Sequence, residues 1–442
     1  MYTSRPLLSM RLFRLVVVAA YGLLIGCGGS HVNPQTPTSS STSDAIASNS
    51  NGAYPDSTFL KIYSFTHADF LSAAQPFLFT NGKFYGTSFG GQYNCGSVYS
   101  LTPDQQFEKF TLHNVYTFKG KTDGCNPSGK LVLSGTTLYL ATENGGGTSC
   151  FEGCGTVVSM PLGGGSDKVL YAFKGNSDGS GPLLGLTLVA GNLYGTTVLG
   201  GSKGGGIVFK VPTAGGSEKI LFAFASPGAK GTSAGAFGVI QVGNYLYGTT
   251  GAGGGKACSG GCGTVYQLPL DGGSIKTLHV FQGGSDGSGP GGVIAIGQTL
   301  YGVTGKGGDT GATCGSGYPG CGTVYKLSTG GGAKTTLLAF KGGSSGGDPS
   351  AQLLNVGSKL YGVGFWGGST KPPCSGECGT IFSLPVSGGS ETVLHTFAET
   401  DGMFPSARLV AQNGYLYGTT QYGGTINSQC LIGCGVAFKV EE

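Results

Sequence analysis

The side chains best equipped for chemistry in this chain are cysteines, aspartates and a single tryptophan, and most recur at fixed spacing. Four cysteine pairs are separated by three residues, Cys150/Cys154, Cys258/Cys262, Cys374/Cys378 and Cys430/Cys434, and Cys314/Cys321 is a longer version. Cys95 and Cys125 complete an even set of twelve once Cys27 is set aside. Two thiolates at such spacing could supply half of a zinc site. Each pair lacks a second pair or a histidine nearby in sequence, so six disulfides in an oxidising compartment are expected, with no metal. Asp69, Asp123, Asp178, Asp286 and Asp401 each follow a phenylalanine by four or five residues. A ring of these carboxylates could bind Ca²⁺ or a polyol, but an Asp just ahead of Gly also caps its own turn. Repetition favours the scaffold role, because a binding site normally breaks a repeat. Trp366, the only Trp, stands before a Gly pair, and Tyr422 and Phe89 occupy comparable slots. Exposed, these rings could stack on sugars or prolines; buried, they would pack between neighbouring units. No histidine sits beside a nucleophile as Ser-His-Asp catalysis requires, and only His67 is expected on a loop face. The glycine runs precede neither a helix nor Lys-Ser/Thr, so they are not phosphate loops.

The elements that hold these residues repeat seven times. Leu/Phe-Tyr recurs at Tyr85, Tyr139, Tyr194, Tyr247, Tyr301, Tyr361 and Tyr417, spaced by 54, 55, 53, 54, 60 and 56 residues. Each is followed by a Gly-led segment, from Gly96-Ser97-Val98-Tyr99 to Gly435-Val436-Ala437-Phe438, and each repeat also carries a segment ending in Phe. These endings are Phe65, Phe118, Phe173, Phe224, Phe281, Phe340 and Phe397. A fourth, aliphatic segment often follows Pro, as in Pro182 before Leu184, Leu186 and Leu188. Short β-branched, aromatic or alternating runs bounded by Gly are strands. Dipeptides such as Asn81-Gly82 and Asn413-Gly414 suit two-residue hairpins. We label the strands A (aliphatic), B (Leu-Tyr), C (Gly-led) and D (ending in Phe). The ordered part starts on a D strand, Phe59–Phe65, and ends on a C strand at Val440. The count is therefore whole only if the termini join, which a linear solenoid does not explain. The expected fold is all-β: a seven-bladed β-propeller of four-stranded antiparallel blades, the last closed by the N-terminal strand.

Composition agrees with that architecture. Glycine makes up 89 of 442 residues and charged residues only 10%. A 39% hydrophobic share, with 21 Tyr and 24 Phe, is too apolar for a disordered chain. Residues 1–26 read as an export signal, with Arg5, Arg11 and Arg14 before an apolar run from Leu15 to Ile25 that is too short to span a bilayer. Residues 27–57 read as a Ser/Thr-rich tether and 58–442 as the propeller. Without the signal, 22 basic residues face 21 acidic ones, which leaves no electrostatic basis for nucleic-acid binding.

Two resemblances add expectations. Leu24-Ile25-Gly26-Cys27 resembles a bacterial lipobox, which implies cleavage before Cys27 and its lipidation. Gly28, in place of the Asp that retains such proteins in the inner membrane, implies the outer membrane or cell surface. Leu-Tyr-Gly-Thr-Thr, Gly-Gly, Cys-Gly-Thr-Val-Tyr and Val-Leu-His-Thr-Phe resemble the Gloeo-Verruco tandem repeat of exported bacterial proteins, over residues 58–442. That family implies export and a propeller-like fold, with no established activity. Blade 3 departs by lacking cysteines, and blade 2 has Leu140-Ala141 where Gly-Thr is usual. The expected function is a non-catalytic, lipid-anchored, monomeric head whose loop face binds a glycan or an envelope protein. The alternatives are a carbohydrate-active enzyme using carboxylates at the channel mouth, and a purely structural surface protein.

Overall fold

The computed structural model describes residues 58–66, 75–147, 150, 152–226, 238–255, 257–314, 318–349, 351–368, 374, 378–428 and 430–442. The expected signal segment, Cys27, the tether, His67 and Asp69 lie outside the described residues. Within them, seven antiparallel sheets form the blades of a propeller. Blade 4 shows the plan, with A at Ile240–Val242, B at Tyr245–Thr250, C at Thr264–Pro269 and D at Lys276–Val280. Neighbouring A strands contact one another around the ring, so A is the inner strand and D the rim.

Blade 7 joins the two ends of the propeller. Its A, B and C strands are Val410–Gln412, Tyr415–Tyr422 and Val436–Glu441, and its D strand is Leu60–Ser64. Lys61 pairs with Phe438 and Ser64 with Val436, and an irregularity after Lys61 matches the one in the other C–D pairs. The Phe65 amide donates to Gly435 O at 3.0 Å, as Phe118 does to Gly96 and Phe397 to Gly379. All seven D-strand Phe side chains are completely buried. The terminal strand therefore makes the bonds that D strands make elsewhere, and the sheet edge it covers is not left open.

The recurring Tyr-Gly of strand B has a steric cause. Gly86, Gly248 and Gly302 face Tyr99, Tyr266 and Tyr325 across the B–C pair, and a Cβ would lie 2.5–2.6 Å from those rings. Gly195, Gly362 and Gly418 face Phe209, Phe382 and Phe438 in the same way. Blade 2 exchanges the sizes, since Leu140 pairs with Val158 and both are fully buried. Its departure from Gly-Thr is thus compensated on the facing strand. The Thr that follows is a buried clamp: Thr250 Oγ1 lies 2.9 Å from Thr264 Oγ1, donates to Ala252 O and accepts the Thr264 amide.

The A–B hairpin turns are Gly135-Thr136 in blade 2, where Ser134 pairs with Thr137, and Ala190-Gly191 in blade 3. Val189 pairs with Asn192, so Ala190 and Gly191 are the central residues, both with positive φ. The A segment is also longer than its aliphatic core. Before it, residues around the Pro bridge to the end of strand B, as in Ser288–Pro290 with Lys306 and Thr304. A two-stranded hairpin at Thr313–Cys314 and Tyr318–Pro319 is added in blade 5.

Candidate functional site

The site is built from two residue positions at the inner end of the loop face. The first is the residue before the A-segment Pro. Its φ is positive in blades 2, 3, 5, 6 and 7, at Asn126, Gly181, Gly289, Asp348 and Phe404. Each donates its amide to a loop cysteine carbonyl of the preceding blade: Cys95, Cys154, Cys262, Cys321 and Cys378, at 2.8–3.0 Å. The disulfide loops therefore set the height and angle of this inner rim. The bridges are Cys95–Cys125, Cys150–Cys154, Cys258–Cys262, Cys314–Cys321, Cys374–Cys378 and Cys430–Cys434. Six disulfides mark an exported protein.

The second position is the residue pair just ahead of Gly-Gly, at or just past the end of strand B. It reads Glu143-Asn144, Val198-Leu199, Gly251-Ala252, Gly305-Lys306, Phe365-Trp366 and Gln421-Tyr422 in blades 2 to 7, with Phe89 alone in blade 1. Blades 3 and 4 offer only aliphatic side chains or glycine there. Blades 6 and 7 offer aromatic rings, and these meet across the seam between them. Phe365 stacks on Phe404 at 4.9 Å, Trp366 meets Phe404 edge-on at 5.4 Å, and Tyr422 stands edge-on to Phe404 at 6.1 Å. All four are half-buried, so each keeps an exposed part. Phe404 holds φ +57°, a left-handed conformation costing about 1–2 kcal/mol for a residue with a Cβ. The same position in blades 3 and 5 is Gly. Phe404 belongs to no sequence motif; what marks it is a bulky residue at a position that is Gly in blades 3 and 5, Asn in blade 2 and Asp in blade 6.

Trp366 is fixed from two sides. Its backbone exchanges hydrogen bonds with Gly347 at 2.9 and 3.1 Å, and its indole lies near enough to the Asp348 carboxyl to favour the charged form. Burial pushes the Asp348 carboxyl up to about 6, opposed by the Lys306 charge and the Trp366 indole. Phe89 is half-buried in blade 1, across one seam from Tyr422's blade.

The described aspartates are engaged in their own turns. Asp123 accepts from Tyr116 Oη and the Lys119 amide, each at 2.9 Å. Asp178 accepts from Tyr171 Oη at 2.8 Å and from the Lys174 amide. Asp286 lies 3.1 Å from His279 Nε2, accepts the Gln282 amide at 2.9 Å and pairs with Lys334 at 3.0 Å. Burial alone would raise the Asp286 carboxyl, but the Gln282 amide and Lys334 hold it below its usual value. Asp401 lies 3.2 Å from His395 Nε2 and accepts the Ala398 amide at 2.7 Å. His279 and His395 thus do more than pack: they replace the tyrosine hydroxyls of blades 1 and 2 as partners of the loop carboxylate. Among the described residues no three His, Cys, Asp or Glu side chains converge as metal ligands.

Glu143 is the one acid at the rim position of strand B. Burial, then the nearby Glu152 charge, pushes its carboxyl up to about 7. A depression of about 550 Å³ on the loop face near Asn176 and Ser202 is floored by glycine. Another of about 330 Å³ lies on the opposite face at Asn244 and Gln298. Neither coincides with the aromatic cluster.

Residues 147–313 and 259–441 match the Gloeobacter/Verrucomicrobia repeat family. No curated protein matches the sequence. Among solved structures, an oligogalacturonate lyase from Vibrio parahaemolyticus is 10% identical over 87% of this chain and 98% of that one, with a TM-score of 0.49. A nidogen/laminin complex is 12% identical over 68% of this chain and 90% of that one, with a TM-score of 0.40. TolB from Acinetobacter baumannii is 13% identical over 81% and 79%, with a TM-score of 0.36. Likenesses this distant carry no argument about what the chain binds. The two family matches together span residues 147–441, well over half of the sequence, and the chain belongs to the Gloeobacter/Verrucomicrobia repeat family.

Proposed function

We propose that this protein is a non-catalytic binding propeller of the cell envelope, which holds a glycan on the aromatic surface of blades 6 and 7. The observation that carries this reading is Phe404. A bulky ring stands in a left-handed conformation that sister repeats assign to Gly, Asn or Asp, and it gathers Phe365, Trp366 and Tyr422 around itself. Conformational strain of this kind persists where function uses it. Half-exposed rings beside a fixed indole suit the apolar face of a sugar. Lipidation of Cys27 would hold the head at the membrane, with residues 28–57 as its tether.

A glycan array probed with the purified head tests the binding reading. The expected result is retention of a restricted set of glycans by the wild type and loss with Trp366→Ala. Phe404→Gly relieves the backbone strain, so it should fold with near wild-type stability and still lose the glycan. Wild-type protein that retains no glycan would refute the proposal. The anchor is tested separately: labelled palmitate should enter the wild type and not Cys27→Ser.

A further inference from the structure

The inner wall of blades 7, 1 and 2 carries a second set of groups that breaks the repeat. A buried apolar residue leads into the aliphatic run of each A segment: Leu131, Leu186, Val239, Val293, Leu353 and Leu409 in blades 2 to 7. The residue before it is Lys130, Gly185, Gly238, Gly292, Gln352 and Arg408 respectively, and Pro76 in blade 1. Cations therefore occur only in the two blades that flank blade 1. Gln75 links all three blades, since its Oε1 accepts the Gly129 amide at 2.8 Å and its carbonyl accepts the Thr419 hydroxyl at 3.3 Å.

Both cations are half-buried. Arg408 Nε is buried and has no hydrogen-bond partner among the described residues. Neither cation is ion-paired with a described carboxylate. Burial lowers the pKa of Lys130, the Arg408 charge lowers it further, and no described acid opposes either effect. Burial also lowers that of Arg408. Two like charges in a poorly solvated wall are costly unless an anion joins them.

We propose that Lys130 and Arg408 form an oxyanion site on this inner wall, in which the guanidinium fork grips a carboxylate or phosphoryl group and the ammonium supplies a point charge. The site does not depend on the aromatic surface being a glycan platform. Calorimetric titration of the purified protein at low salt, with inorganic phosphate and separately with glucuronate, tests it. The wild type should bind at least one of the two saturably. Lys130→Gln and Arg408→Gln should each weaken that binding roughly tenfold or more, while Trp366→Ala should leave it intact. Tighter phosphate would assign a phosphoryl ligand, and tighter glucuronate a carboxylate. Thermal melting without anion controls for folding: each Gln variant should melt at or above the wild type, because one uncompensated charge is gone. If the wild type binds neither anion, or the variants bind as well as it does, the proposal is wrong. Arg408→Lys keeps the charge but not the fork, and should retain only part of the affinity.

Discussion

Asp348 stands beside Trp366, so the charge on its carboxyl is felt by the indole. Above its titration point of about 6 the carboxylate is charged. Emission from Trp366 should therefore follow a single titration with a midpoint of about 6, and Asp348→Asn should abolish it. The steric pairs make a sharper stability prediction. Gly248→Ala would push a Cβ to within 2.5 Å of the Tyr266 hydroxyl oxygen, and should cost about 1–3 kcal/mol in denaturant unfolding. In blade 2, Val158→Tyr alone should be more damaging than the double change with Leu140→Gly, because the pair restores the arrangement of the other blades. Gly-aromatic pairing was hidden in the sequence because the partners lie on separate strands, although both members recur in fixed motifs.

At the scale of elements, strands and cysteine loops were legible because period, glycine punctuation and turn dipeptides are local properties. The role of the loops was not. Cys-x3-Cys reads as a local staple, yet its second carbonyl positions the rim residue of the next blade, as Cys262 O does for Gly289. Removing Cys258 and Cys262 together should leave the circular dichroism of the sheets unchanged and lower stability by about 2 kcal/mol. The same double change at Cys374 and Cys378 should also weaken ligand binding, since Cys378 O holds Phe404. The Asp partners show a similar gap between motif and meaning. Tyr116 and Asp123, Tyr171 and Asp178, and His279 and Asp286 are each seven residues apart, a spacing visible in the sequence whose reason is a hydrogen bond across the loop.

For the molecule as a whole, ring closure follows from counting strands, whereas the inner rim exists only once the blades stand around the ring. Its chemistry is carried by single residues that depart from the repeat, and one sequence alone does not say which departures face inward. Three half-buried carboxyls, Glu143, Glu218 and Asp348, make the whole fold pH-sensitive. Burial raises Glu143 and Glu218 to about 7 and Asp348 to about 6, so the native state keeps protons that the unfolded chain has released. Stability from these groups is full below their ordinary values and is lost as pH rises towards 7. Asp286, held low, acts oppositely and loses its contribution only in stronger acid. Thermal midpoints should therefore be higher at about pH 5 than at about pH 8, and Glu143→Gln should flatten the difference.

The most direct test of the binding surface uses the only tryptophan as its reporter. Titrating a glycan selected on the array while recording Trp366 emission should give a saturable change in wavelength or intensity, absent in Phe404→Gly. Emission that stays constant through saturation of a glycan known to bind would place the ligand elsewhere and contradict the account.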